Sequence, residues 1–201
     1  TKYKSNRMLG WLDMDKSRTG LIGENAINYS SFSFGAYIQV LSDLPMIFIE
    51  RKHQFGATNY IDVSGMTFRE FLKNGYNGYY ATQEDWFLHL SLYFPDVRFK
   101  NYIEVRNHDN QNKENIMAVP AFWKGILYNN DAIDTVEKLL KKAKYIDYLS
   151  LREKTPKYAL NTEFLGFSLC EIAREIFMIS YDSLKAYGQQ EQVFLENIMS
   201  L

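Results

Sequence analysis

The pattern of the chain changes along its length, from short strand-like runs in the first half to helical periodicity in the second. β-Branched and aromatic residues crowd Pro45–Glu50 and Asn59–Gly65, as is typical of strands. Apolar residues then recur at helical spacing over Asp131–Tyr145. No internal repeat or low-complexity linker divides the chain, so we predict an α+β fold that forms a single unit over residues 1–201.

Capping boxes mark several helix starts. In this motif a Ser or Thr and an acidic residue three positions later satisfy each other's backbone N–H groups. The pairs are Thr67 with Glu70, Thr82 with Asp85, and Ser168 with Glu171. They predict helices over 68–73, over about 83–93 and from 168 to about 187, with further helices opening at Pro120 and over about 190–199.

Composition excludes several classes of function. The 201 residues carry 23 basic and 24 acidic side chains with no block of like charge, which predicts no nucleic-acid or anionic-membrane partner. No apolar run approaches the roughly 20 residues that a membrane helix needs. Cys170 is the sole cysteine, so an internal disulfide is impossible, and we expect a reducing, cytoplasmic compartment.

The opening of the chain is abrupt. Thr1 is followed within a few residues by "MLGWLDMDKSRTG", with no strand or cap before it. Such a start is expected of a fragment or a processed product, and an expressed protein that has lost its initiator would look the same.

A polar face is predicted on a strand from Arg98 to Arg106. Alternation places one charged and polar set on one side of this strand, consisting of Arg98, Lys100, Tyr102, Glu104 and Arg106, with apolar residues behind. Two interpretations stay open. The face can be a solvated surface with weak ion pairs. Alternatively, Glu104 supplies hard oxygen ligands for Mg²⁺ and Arg106 a planar fork for phosphate or carboxylate, a pairing that phosphoryl chemistry needs.

The other candidate residues have simpler explanations. His89 lies in an apolar helix pattern and is predicted to be structural, whereas His53 is predicted to be solvated in a hairpin connection. Cys170 has no base beside it on its helix, which favours core packing over nucleophilic catalysis. His108, next to Asp109, is the histidine closest in sequence to the polar face and a candidate for substrate contact.

Six segments resemble, in order, the carboxyl-terminal half of glutamate-cysteine ligases of the plant and proteobacterial type. The resemblance is collinear from about Trp11 to about Tyr187, which is more specific than any one motif. The segments are "DMDKSRTGL", "DLPMIFIE", "DVSGMTFREFL", "EDWFLHLSLYFPDVRFK", "NYIEVRNHD" and "MAVPAFWKGILYNNDAID".

This resemblance implies part of a glutamine synthetase-like catalytic domain, in which helices pack on one side of a curved antiparallel sheet and the concave face binds ATP and Mg²⁺. Such enzymes activate the γ-carboxylate of glutamate as an acyl phosphate, which the amine of cysteine or another amino acid attacks. By resemblance, Glu104 binds metal, Arg106 contacts the phosphate or substrate carboxylate, and Arg18 lies near substrate or nucleotide. Lys100 is a candidate phosphate contact, although a solvated lysine is the simpler description.

Two departures from the family pattern leave alternatives open. The segment "NHDNQNKEN" follows the predicted strand where the family has a glycine-rich turn, so the acceptor amine stays undetermined. The family's chain is much longer, and its amino-terminal half, which supplies further acidic metal ligands, has no counterpart here. The alternative function is therefore a non-catalytic binding or regulatory module derived from this fold.

Overall fold

The computed structural model describes residues 2–23, 33–52, 56–188 and 190–199, so His53 lies outside the described residues. These residues mix helices with short strands, as the predicted α+β class requires. Their packing groups the chain into two compact units, and the single unit over residues 1–201 stays a prediction. Unit 1 comprises residues 1–10 and 108–201, and unit 2 comprises residues 11–107.

Helix α1 (Asn6–Leu12) is followed by the strand-rich elements of unit 2. In chain order these elements are β1 (Thr19–Gly20), α2 (Phe34–Ser42), β2 (Phe48–Lys52), β3 (Thr58–Asp62), α3 (Phe68–Asn74), α4 (Gln83–Ser91), β4 (Phe94–Pro95), β5 (Val97–Phe99) and β6 (Ile103–Val105). The capping boxes predicted for α3 and α4 are both present. Each joins a threonine hydroxyl to the third helical residue and fixes where the helix begins.

Two apolar clusters form the core of unit 2. One packs the first hairpin against α3 and consists of Met46, Ile49, Val63, Phe68 and Phe71. The other surrounds Leu41 of α2 and includes Tyr37 and Tyr93. Ile49 and Phe71 are fully buried, so β2 and α3 are held by their apolar faces.

The predicted continuous strand from Arg98 to Arg106 is wrong, because the chain reverses within it. β5 and β6 pair as an antiparallel hairpin that places Arg98 opposite Glu104, and Lys100 donates its backbone N–H to Tyr102 O (2.9 Å) in the connection. Asn101 stands at the bend, where asparagine is favoured because its side chain tolerates tight turns. Lys100 therefore lies at the connection between the two strands and not within a strand.

The predicted single curved sheet is not formed within the described part of the chain, where the strands make four two-stranded sheets. β2 pairs with β3, and Glu163–Phe164 with Phe167–Ser168, in antiparallel fashion, whereas β1 and β4 run parallel, with Thr19 opposite Phe94. These strands are two to five residues long. Such short strands cannot extend one ladder far enough to build a curved sheet.

Unit 1 is mostly helical. Its elements are α5 (Ala118–Leu127), α6 (Asn130–Leu140), α7 (Tyr145–Tyr158), a 3₁₀ turn (Ala159–Asn161), β7 (Glu163–Phe164), β8 (Phe167–Ser168), α8 (Leu169–Ala186) and α9 (Gln192–Met199). The capping box of Ser168 and Glu171 is present. The helix predicted over Asp131–Tyr145 ends earlier, at Leu140, and the separate helix α7 was not predicted. Its interior Pro156 is a residue that disfavours helices.

Helices α5 and α8 approach closely in unit 1. A Cβ atom added to Gly125 would collide with Oγ and the backbone oxygen of Ser180, whose hydroxyl donates to Phe122 O (2.8 Å). The same helices and α9 enclose a cluster of Ala118, Ala121, Leu184 and Leu195. In the described ranges, no helix has both the length and the apolar character required to cross a membrane.

Candidate functional site

The β5–β6 hairpin brings together three charged side chains in unit 2. Arg98 donates from Nε (2.9 Å) and Nη2 (2.7 Å) to Oε2 of Glu104. Arg106 donates from Nη1 to Oε1 of the same carboxylate (2.6 Å). Cross-strand pairing places Arg98 beside Glu104, and alternation puts Arg106 on the same face of the second strand. One carboxylate therefore bridges two guanidinium groups.

Arg98 also connects this cluster to the end of helix α4. Its Nη1 donates to the carbonyl oxygens of Ser91 (3.1 Å) and Tyr93 (3.0 Å), and the residue is 7% exposed. The ring of Phe94 lies under both guanidinium groups, 5.7 Å from that of Arg98 and 5.5 Å from that of Arg106. The Phe94 ring therefore restricts the orientation of both guanidinium groups, and the two carbonyls further restrict that of Arg98.

The electrostatics of the cluster favour an anionic ligand. Burial raises the pKa of Glu104, but the hydrogen bonds and charges of Arg98 and Arg106 outweigh burial, so that its pKa lies below the usual value. Glu104 is thus ionised at neutral pH, and these three side chains together carry one excess positive charge. The planar guanidinium groups of such a pair can each donate to two oxygens of a phosphate or carboxylate.

Arg18 occupies a different environment, the carboxyl end of the same helix. Its guanidinium donates to the backbone oxygens of Leu92 (3.3 Å) and Pro45, and the residue is 7% exposed. Asp15 lies 3.9 Å from its Nε. Burial lowers the pKa of Arg18, an effect that the charge of Asp15 opposes. These contacts tie β1 to α4 and β2, and the role of Arg18 toward substrate stays a prediction.

Lys100 lines a separate cavity of unit 2. This cavity, of about 660 Å³, is mostly apolar and aromatic, with Tyr37, Trp86 and Phe99 among its lining residues. Lys100 itself is exposed at the bend of the hairpin. The structure therefore unites Glu104 and Arg106 of the predicted set, places Lys100 elsewhere, and adds Arg98, which sequence reasoning did not select as a site residue.

The histidine and cysteine predictions have mixed outcomes. His89 is structural as predicted: it is 3% exposed, Leu41 O accepts a hydrogen bond from its Nε2 (2.8 Å), and it stacks on Phe68. Cys170 is half-buried. His108 lines a cavity of about 540 Å³ in unit 1 with Arg7, and its contact with substrate stays a prediction.

A magnesium ion does not fit the residues that the described part of this chain provides. Within the described ranges no group of three or more His, Cys, Asp or Glu side chains could hold a metal. Glu104 offers one carboxylate, and both its oxygens already accept from guanidinium groups. Mg²⁺ prefers a near-octahedral set of oxygens, so a complete site needs ligands that these residues do not supply.

Comparison with known proteins gives one family. The sequence model of "Glutamate-cysteine ligase family 2 (GCS2)" matches residues 1–196. The chain is 35% identical over 199 residues to the chloroplastic glutamate-cysteine ligase of Arabidopsis thaliana and 34% identical over 199 residues to that of Nicotiana tabacum. Each match covers 98% of this chain and 37% of the relative. The chain thus spans well under half the length of these relatives.

The names of these relatives correct one prediction. Glutamate-cysteine ligase A of Oryza sativa subsp. indica, 32% identical over 199 residues with 98% of this chain and 39% of the relative covered, is also chloroplastic. Low cysteine usage predicted a cytoplasmic compartment, and the chloroplastic relatives contradict that prediction. A single cysteine indicates a lack of internal disulfides, which is a property of proteins in several reducing compartments.

Proposed function

This chain belongs to glutamate-cysteine ligase family 2, and on that premise we propose that it supplies part of an ATP-dependent ligase that joins the γ-carboxylate of glutamate to an amine. Cysteine is the default acceptor, because the relatives named above are glutamate-cysteine ligases. Both compact units belong, in this proposal, to the carboxyl-terminal half of one catalytic domain with the glutamine synthetase-like fold. Its curved sheet would be completed by strands from elsewhere in the polypeptide. The proposed compartment is the plastid, as in the relatives' names.

The proposed reaction has two transfers. A γ-carboxylate oxygen attacks the terminal phosphorus of ATP, forming an acyl phosphate as the bond to the ADP oxygen breaks. The amine nitrogen then attacks the acyl carbon, the bond to phosphate breaks, and the nitrogen loses a proton. Negative charge accumulates on phosphate oxygens throughout, so fixed cations near those oxygens lower the barrier.

The observation that carries this proposal is the bridging of Glu104 by two arginines. The excess positive charge of the cluster suits a phosphate or substrate carboxylate, and Arg106, with 21% of its side chain exposed, is the more accessible of the two guanidinium groups. We assign Arg106 to the anion that reacts. Glu104 is proposed as one metal ligand of the complete domain. Arg18 and Lys100 are proposed as secondary contacts to substrate or nucleotide.

The test is ADP release by the full native polypeptide that contains this chain, with MgATP, glutamate and a panel of amines. Release that requires glutamate and one amine supports the ligase and identifies the acceptor. Omitting each substrate in turn separates ligation from simple ATP hydrolysis. ADP release that does not depend on glutamate contradicts the proposal.

One observation favours the alternative of a non-catalytic binding module. Glu104 has both oxygens engaged by arginines, and the described residues contain no metal-binding group of acidic side chains. A folded full-length protein that binds nucleotide or glutamate but releases no ADP with any amine would establish this alternative. The same assay therefore decides between the two functions.

A further inference from the structure

Arg98 uses all three of its guanidinium nitrogens in unit 2. Nε and Nη2 donate to one oxygen of Glu104, Oε2, and Nη1 donates to the carbonyls of Ser91 and Tyr93. With 7% of the residue exposed, these bonds lie largely out of reach of water. Buried, charge-assisted hydrogen bonds are among the strongest in proteins. Arg98 therefore fixes the carboxylate to the end of helix α4.

The two oxygens of Glu104 consequently differ. Oε2 is anchored by two bonds from the more buried arginine, whose side chain is 8% exposed. Oε1 accepts from Arg106, whose side chain is 21% exposed. The anchored oxygen sets the rotation of the carboxylate, and that rotation sets where Oε1 points. Arg106 is then oriented by Oε1 and by the ring of Phe94.

We propose that Arg98 is a positioning residue of the ligase reaction, which holds Glu104 by Oε2 so that Oε1 keeps Arg106 in a fixed orientation toward the reacting anion. This inference rests on the proposed function for the reaction it serves. Arg98 touches no reacting atom in this scheme and acts through Glu104. Preorganisation of this kind lowers the barrier because a misplaced charge stabilises the transition state less.

A lysine cannot replace Arg98 in this role. Arg98 makes two hydrogen bonds to Oε2 and two to backbone carbonyls from a planar group whose donors point in fixed directions. The compact ammonium group of a lysine cannot make all four bonds in that arrangement. Unit 2 contains a matched control, Arg51, which also binds a buried carboxylate with two nitrogens, Nη1 to Oδ1 of Asp85 (2.6 Å) and Nη2 to Oδ2 (2.9 Å). Arg51 additionally donates to Tyr80 O. The pair has no described contact with Glu104.

The experiment compares Arg98→Lys with Arg51→Lys in the full-length polypeptide. Two quantities are measured: the ¹⁵N NMR signal of the Arg106 Nε–H group, assigned with Arg106→Lys, and kcat/KM for ADP release. We expect Arg98→Lys to move the Arg106 signal to that of an unrestrained arginine and to lower kcat/KM at least tenfold, chiefly through kcat. Arg51→Lys should leave the signal in place and kcat/KM within twofold, although both variants lower the Tm.

An unchanged Arg106 signal in Arg98→Lys, or an equal change in Arg51→Lys, would overturn the proposal. If Arg98→Lys does not fold, Arg98→Gln, which keeps one amide donor for Oε2, is assessed by the same criteria. A wild-type protein that releases no ADP would contradict the proposed function, while the Arg106 signal would still decide whether Arg98 positions it.

Discussion

Two carboxylates of unit 2, the buried Asp85 and the partly exposed Glu104, bind arginines in contrasting ways. Asp85 is 2% exposed and pairs with Arg51 alone, and its remaining hydrogen-bonding capacity is used by the backbone N–H and hydroxyl of Thr82. Glu104 faces both Arg98 and Arg106. The first arrangement balances charge and closes a helix cap, so it is complete without a ligand. The second leaves positive charge in excess, which is what a site for an anion requires.

The largest expected effect tests the second arrangement through activity. Glu104→Gln in the full-length polypeptide should lower kcat/KM for the proposed ADP release by about a thousandfold, the upper end for removal of one preorganised electrostatic group. The isosteric amide should keep the secondary structure, as measured by circular dichroism. Glu50→Gln, on the exposed face of β2, is the matched control and should be near wild type. Wild-type turnover by Glu104→Gln would contradict the assignment of Glu104 to the site.

The next effect tests the first arrangement through stability. Asp85→Asn leaves the Arg51 charge without its buried partner and should lower the free energy of unfolding by about 3 kcal/mol, measured by urea titration. Glu84→Gln, one residue earlier and exposed, should change it by less than about 0.5 kcal/mol. A specific activity that falls with Asp85→Asn as steeply as with Glu104→Gln would erase the distinction between the two carboxylates.

A smaller effect is expected at the cap that Asp85 shares. Thr82→Ala removes the hydroxyl that accepts from Asp85 N (3.2 Å) and donates to its carboxylate, at a cost of about 1 kcal/mol in the free energy of unfolding. Thr82→Ser, which keeps the hydroxyl, should recover most of that loss, both variants being measured by urea titration. Equal losses in both variants would show that the cap contributes through its methyl group instead.

The smallest expected effect is the change in the free energy of unfolding with pH. Burial raises the pKa of Glu104 and of Asp85, but hydrogen bonds outweigh burial and bring the two values below 4.5 and 3.8 respectively. These bonds come from Arg98 and Arg106 for Glu104, and from Arg51 and Thr82 for Asp85. Their stabilisation is therefore present above these ordinary values and is lost as pH falls through the lower folded-state values. Between about pH 7.5 and about pH 6.0 another group must be responsible for any change in stability.

That group is His89, whose pKa burial lowers below the usual 6.5, helped by the charge of Arg18 and opposed by the bond to Leu41 O. The unfolded chain then takes up the proton more readily, so stability falls as pH falls. The expected loss is at most roughly 0.8 kcal/mol over that interval. His89→Gln should reduce the dependence of the unfolding free energy on pH in urea titrations, leaving the contribution of His108, whose pKa burial also lowers. An unchanged slope would contradict the assignment.

Local signals in the sequence predicted the helix starts well. The boxes of Thr67, Thr82 and Ser168 were each recognised from two residues three positions apart, and each is formed. Such motifs depend on short-range hydrogen bonds that the sequence alone specifies. Helix α7 was missed because its interior Pro156 disfavours a helix locally, while packing of residues such as Leu151 against Phe164 and Ile172 stabilises it in the folded unit.

The candidate site was predicted in part for the same reason. Glu104 and Arg106 are two residues apart, so alternation alone places them on one face. Arg98 reaches Glu104 only because the chain reverses at Asn101, and an uninterrupted strand would have separated the two by six residues. Asn101, a residue type that favours turns, was the sequence signal for that reversal. Arg18 illustrates the converse, since its bonds to Leu92 and Pro45 depend on tertiary contacts that no local pattern reveals.

The parallel pairing of β1 with β4 has a consequence for how unit 2 assembles. Arg18, which precedes β1, and its acceptor Leu92 are 74 positions apart, and the described residues between them form the β2–β3 hairpin and three helices. Closing so long a loop costs chain entropy before any contact repays it. We expect the capped helices and the β2–β3 hairpin to form early and β1 to dock after the folding barrier. Substitutions at Arg18 would then accelerate unfolding while leaving the refolding rate nearly unchanged.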